Sequence, residues 1–242
     1  MSRSVFIIAP SGAGKTTSIR TLNPNETFLV NCLNKELPWR GSAKQYTPIK
    51  LKGTRPNMEW ESGNMFVTSS AQAILSYMDF VNTKMPHITN FVIDDNTFVT
   101  ALELQKRSGE TDWKKFNDIA QNFIDIAFKS KALRDNLTVF ILHHTVQEGD
   151  GILEDKKFRA MSYGKLIDEK LGSQEAQFSL VLRAAKEINN DKIEYVFYTR
   201  DANSTAKTPD GMFDSDKIPN DLQLVKDVMN CYYSDDCMDN KK

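Results

Sequence analysis

The run Ala9-Pro10-Ser11-Gly12-Ala13-Gly14-Lys15-Thr16-Thr17 holds the residue types and spacing best suited to chemistry in this chain. It fits the pattern G-x-x-x-x-G-K-[ST], with Ala9 standing where the first glycine would be. A backbone that wraps a phosphate must turn several N–H groups inward, which favours glycine at positions 12 and 14. Lys15 is placed to reach the outer phosphates, and the Thr16 hydroxyl is placed to ligate Mg²⁺. The positive end of a following helix would face the anion. Pro10, Ser11, Gly12, Ala13, Gly14, Lys15, Thr16 and Thr17 are therefore the predicted nucleotide-binding residues. No aspartate-based guanine-reading motif is present, so ATP is the default ligand, with Mg²⁺ as its companion.

Such a cradle needs a carboxylate on a neighbouring strand to hold the metal. Asn90-Phe91-Val92-Ile93-Asp94 has that form, an apolar run ending in an acid. Asp94 is the predicted metal residue, and Asp95 is the candidate for polarising the attacking water. The plainer role for Asp95 or Asn96 is to cap the next helix. His143 and His144 end the apolar run Leu137 to Leu142, and ligands of open α/β sheets gather at the carboxyl ends of strands. One of the two is expected to reach the γ-phosphate or the catalytic water, the sequence leaving open which.

The elements that must position these groups follow from periodicity. Ser4 to Ile8 is a continuous apolar run, as in a strand buried on both faces. A short helix is expected from Lys15 to Leu22, stopped by Asn23-Pro24-Asn25. Further strands are read at Thr27–Val30, Met65–Thr68, Asn90–Ile93 and Leu137–Leu142. Ile74, Leu75, Met78 and Val81 mark one amphipathic helix. Trp113, Phe116, Ile119, Ala120, Phe123 and Ala127 mark another, over about 112–130. Gly41 to Gly63 is polar, with an edge strand near Tyr46–Leu51. Thr145 to Tyr163 reads as a charged loop, followed by a short helix near Lys165–Leu171. Phe178–Leu182 and Ile193–Thr199, around Asn189-Asn190, read as an antiparallel pair. A closing helix over Asn220–Met229 is capped by Asn220 or Asp221. The result is an α/β fold with a mainly parallel sheet and a late antiparallel hairpin. The expected boundaries are one domain over 1–230 and an acidic tail over 231–242.

Composition narrows the classes. The 242 residues carry 31 basic and 32 acidic side chains, a formal charge of −1, which argues against a bulk basic face built for duplex DNA. Three cysteines are too few for a disulfide framework, and no apolar stretch approaches membrane-spanning length. A cytoplasmic protein with no membrane partner is the expectation.

The cradle at 9–17, the acids in Val92-Ile93-Asp94-Asp95 and the strand end at His143-His144 together resemble the RecA-type ATPase core. The resemblance is nearest to small phage-encoded AAA-family P-loop proteins, including RecA-like single-strand annealing or recombination ATPases. Leu37-Pro38-Trp39-Arg40-Gly41 and Ala206-Lys207-Thr208 are similar to that group as well. The resemblance implies a three-layer αβα core and ATP hydrolysis. It also implies work in phage DNA recombination, repair or replication as a homo-oligomer on single-stranded DNA, alongside other phage replication or recombination proteins. By the same resemblance, Lys156, Lys157, Phe158, Arg159, Tyr163 and Lys165 would meet DNA, cations on phosphates and aromatics on bases. Arg200 or Lys207, or Arg183, would complete a neighbouring copy's site. The chain departs from larger recombinases in lacking a long separate DNA-binding domain. The nearest glutamate after the second strand is Glu36. The competing functions are an ATP-switched adaptor such as a helicase loader, and a small-molecule or nucleotide kinase.

Overall fold

The computed structural model describes residues 1–54, 57–149, 157–163 and 173–234. The first strand, β1 (Arg3–Ala9), turns through the cradle into the short helix α1 (Lys15–Ser18) and a 3₁₀ turn at Ile19–Thr21. Strand β2 (Thr27–Asn31) follows, then α2 (Ser42–Gln45), a small hairpin of β3 (Lys50–Lys52) and β4 (Glu59–Ser62), and strand β5 (Met65–Val67). Helix α3 (Ala71–Lys84), strand β6 (Asn90–Asp94), helices α4 (Thr97–Lys106) and α5 (Lys114–Lys129), and strand β7 (Thr138–Glu148) form the middle of the chain. The last third holds β8 (Lys157–Ala160), β9 (Val181–Asn189), β10 (Lys192–Tyr198), β11 (Lys217–Pro219) and α6 (Leu222–Tyr232).

Apart from the separate β3–β4 hairpin, the strands form one sheet in the order β11-β10-β9-β1-β7-β6-β2-β5, with β8 paired to β7. From β9 across to β5 every neighbouring pair is parallel; β10, β11 and β8 join antiparallel. This is an αβα fold with a mainly parallel sheet, and its late hairpin is β9–β10.

Parallel strands covered on both faces must be apolar at every position, and β1 obeys that rule. Phe6 and Ile8 face a core shared with Ile74 and Met78 of α3 and Phe123 and Ile126 of α5. Val5 and Ile7 face the other core, with Ile19, Leu222 and Val225. Each such side chain, fully buried, contributes about 1.5–3 kcal/mol relative to exposure. Helix starts are capped where the chain offers an oxygen: Ser70 Oγ accepts from the Ala73 N–H at 3.4 Å, and the Asp221 carboxylate accepts from the Leu224 N–H at 2.9 Å. Asp221, not Asn220, is thus the cap of α6. No helix among the described residues is long and apolar enough to cross a membrane.

Several expectations need correction. The stretch expected as a loop after His144 is a ribbon: β7 runs on to Glu148 and pairs antiparallel with β8, Thr145 opposite Ala160 and Glu148 opposite Lys157. Both histidines therefore lie inside a strand. Helix α4 starts just after Asn96, the position read as a cap, although the Asn96 side chain makes no cap bond, and Gly41–Gly63 contains the β3–β4 hairpin. Trp113, expected on the buried face of its helix, is 79% exposed because α5 begins one residue later and Trp113 only flanks it. The helix expected near Lys165–Leu171 lies outside the described residues.

Candidate nucleotide site

Parallel pairing brings the carboxyl ends of four strands together. Ala9 of β1 lies opposite His144 of β7, and Asn31 of β2 lies opposite Asp94 of β6. The cradle leaves this edge from Ala9. Gly12 and Gly14 have φ of 78° and 91°, the left-handed region that opens the backbone around an anion. Ala13 turns its methyl into the core below and offers only its backbone, while Pro10 sits exposed at the strand exit. Helix α1 is shorter than expected, so its dipole is small. The positive field comes instead from the loop N–H groups and Lys15.

The cleft at this edge has a volume of about 320 Å³. It is lined by Ser11, Gly12, Gly14, Lys15, Thr16 and Thr17, with Lys35, Glu36, Pro38, Asp94, Asp95, His144 and Tyr195 around them. Thr16 Oγ1 donates to the Asp94 carboxylate, 2.9 Å from one oxygen and 3.0 Å from the other. Burial, reinforced by the neighbouring Asp95, pushes the Asp94 carboxyl up to about 7. A cation would relieve that cost, and the Thr16 hydroxyl and Asp94 carboxylate are the hard oxygen donors that Mg²⁺ takes. Among the described residues no three His, Cys, Asp or Glu side chains gather as a metal cage.

Lys15 is buried, and its Nζ donates to the carbonyls of Ala9 at 3.2 Å and Pro10 at 3.5 Å. Burial lowers its pKa, while Asp95 and Asp94 pull the other way. From Lys15 a chain of contacts runs across the site. Its Nζ lies 3.5 Å from His144 Nδ1, His144 Nε2 lies 2.9 Å from Asp95 Oδ1, and Lys35 Nζ lies 3.0 Å from Asp95 Oδ2. Asp95 resists the upward push of burial because these His144 and Lys35 bonds hold its carboxyl at about 2. Its backbone is left-handed, with φ of 60°, a strained conformation that aims the carboxylate back at the cleft.

The structure separates the two histidines. His144 faces the cleft. His143 faces the core, with its ring 5.3 Å from that of Phe6 and its Nε2 bonded to the Met161 carbonyl at 2.8 Å. Its Nδ1 accepts from the Asn96 amide at 3.3 Å, and burial drives its pKa down to about 3. It is a neutral, structural histidine.

Outside the cleft, Arg200 pairs with Asp216 at 2.9 Å, and Lys207 is exposed while its backbone pairs with Val181. Arg183 is ion-paired to Asp201 and lies over the rings of Phe158 and Tyr198 at 5.2 and 4.3 Å. Phe158 is therefore covered on that face by a guanidinium. Arg159 pairs with Glu148, Lys157 is exposed, and Tyr163 is 37% exposed. Lys156 and Lys165 lie outside the described residues.

Sequence reasoning missed Lys35 and Tyr195. Lys35 stands just beyond the carboxyl end of β2, the place where α/β sheets put ligand-facing residues, and that position was its signal. Tyr195 continues the face of β10 that carries buried Phe197, past the point where β1 has ended. The ring lies against the cradle: a methyl on Gly14 would come within 2.7 Å of it.

No family model and no curated protein matches the chain. Among solved structures it is similar to a KaiC-like protein from the hyperthermophilic archaeon Pyrococcus horikoshii. The sequence identity is 11%, the TM-score is 0.44, and the match covers 81% of this chain and 76% of that one.

Proposed function

We propose that this chain binds Mg²⁺·ATP at the 9–17 cradle and hydrolyses it. The observation that carries the reading is the meeting of Thr16 with Asp94, at 2.9 and 3.0 Å, in the same cleft as Lys15. Pro10 to Thr17 would wrap the phosphates, Lys15 would leave the Ala9 and Pro10 carbonyls for phosphate oxygens, and Thr16 and Asp94 would hold Mg²⁺. Bound there, the metal would neutralise charge on the outer phosphates. Asp95, engaged on both oxygens, anchors His144 and Lys35. Glu36, exposed in the same cleft, is the better-placed acceptor for a proton from the attacking water.

The finer reading is an ATPase of phage DNA recombination, repair or replication that works as an oligomer on single-stranded DNA. Its support is the resemblance of the cradle and acid pair to RecA-type proteins, together with the exposed Lys157 on the β7–β8 ribbon. The switch-like adaptor reading has one observation of its own: a carboxylate as fully tied as Asp95 is a poor base, which suits slow turnover.

The test is ATP hydrolysis by purified protein with and without single-stranded DNA, alongside Lys15→Ala. DNA-stimulated turnover that falls at least about 100-fold in the variant is the expected result. Tight nucleotide binding with negligible turnover, DNA present or not, would select the adaptor instead.

A further inference from the structure

We propose that Lys35 is the residue with which the cleft tells a nucleoside triphosphate from a diphosphate. The inference rests on the nucleotide reading above and adds a specificity determinant to it.

Three features converge on Lys35. Its position is built: the Asn31 side chain clamps the turn, donating from Nδ2 to the Lys35 carbonyl at 2.7 Å and accepting the Lys35 N–H on Oδ1 at 3.2 Å. Between them Asn34 takes a left-handed φ of 53°. Second, the ammonium sits at the wall of the cleft, 3.0 Å from Asp95 Oδ2, with its side chain 60% exposed while that of Asp95 is 8% exposed. The ammonium thus stays open to an arriving anion, and Asp95 keeps its His144 bond when the lysine moves.

Third, Lys35 and Lys15 stand at opposite ends of one chain of contacts, Lys15–His144–Asp95–Lys35. The cradle N–H groups hold the phosphates nearest the loop, and Lys15 reaches outward from the β1 side. Lys35 approaches from the β2 side and serves the terminal group, which only a triphosphate has. Charge supports the same division. Without Lys35, Lys15 would be the one Lys or Arg among the described residues lining the cleft against Asp94, Asp95 and Glu36, an unfavourable setting for additional negative charge. With phosphate bound, Lys35 leaves Asp95 Oδ2 for a terminal phosphate oxygen, and no covalent bond changes.

The experiment is equilibrium binding of fluorescent ADP and of a fluorescent non-hydrolysable ATP analogue, both with Mg²⁺. It compares the wild type with Lys35→Met and Lys35→Arg, each checked by thermal melting. A charge-assisted phosphate contact corresponds to about tenfold or more in affinity. Lys35→Met is expected to lose about tenfold for the triphosphate analogue with ADP changed less than about twofold, and Lys35→Arg to keep most of the preference. Equal weakening of both nucleotides, or no change in either, overturns the inference while the nucleotide reading stands. A folded wild type that binds neither nucleotide overturns both.

Discussion

Thr16 and Asp94 share a hydrogen bond that a metal would have to rearrange, and the energetics of Asp94 make the pair visible in stability. Its folded pKa, about 7, lies above the ordinary value of about 3.9. Between those values the folded chain holds a proton that the unfolded chain has released, so stability falls as pH rises through that window and stays reduced above it. His143 works the other way. Its folded pKa of about 3 lies below the ordinary 6.5, so the unfolded chain binds the extra proton and stability falls on acidification. Asp94→Asn, melted without Mg²⁺, should gain on the wild type progressively from about pH 4 to pH 8, by about 2–4 °C per kcal/mol for a chain of this size. A constant difference across that range would show that Asp94 is already ionised and compensated by its neighbours. The cradle and Asp94 were legible in the sequence because each is a local pattern, a glycine turn after an apolar run and an acid ending another. Choosing His144 over His143 was not, since strand register alone decides which ring meets the core.

At the level of elements, the β9–β10 hairpin and the cradle lean on one another. Asn190 and Asp191 turn the hairpin with φ of 49° and 60°, and Tyr195 reaches back to Gly14. Gly14→Ala meets two separate obstacles, a φ of 91° that costs about 1–3 kcal/mol for a side chain and a Cβ 2.7 Å from the ring. Adding Tyr195→Ala should restore part of the melting temperature lost in Gly14→Ala but no nucleotide affinity, because only the ring contact is relieved. Full recovery of binding in the double variant would show that the left-handed turn is dispensable. The hairpin's turn was readable from Asn189-Asn190 and its second strand from Ile193–Thr199, whereas its first strand, expected over Phe178–Leu182, runs over Val181–Asn189 because its outer half is polar. Strands β1, β2 and β6 were readable from their apolar runs and α3 from its helical spacing. The outer part of β7 was not: Gln147 and Glu148 are polar because that ribbon projects beyond the covered sheet, and a polar strand looks like a loop.

Across the whole molecule, sheet order decides what sequence could not. Lys35 follows β2 and Tyr195 lies on β10, far apart in the chain, yet both line one cleft because β1, β7 and β6 form its floor between them. The cations outside that cleft bear on the oligomer reading. Arg200 does not line its own copy's cleft, as a residue acting on a neighbour requires, and it is 49% exposed at the side chain. If it completes a neighbour's site, mixing Lys15→Ala with Arg200→Ala protein should recover turnover that neither has alone, increasingly so at higher concentration. Turnover equal to the sum of the separate proteins would make Arg200 an ordinary surface cation. The contact between Tyr195 and Gly14 also carries a kinetic consequence. A loop with a ring of a neighbouring strand lying against it moves less freely than a bare one. If a nucleotide leaves by that side, stiffening the hairpin would lengthen its occupancy without adding a single contact to the ligand.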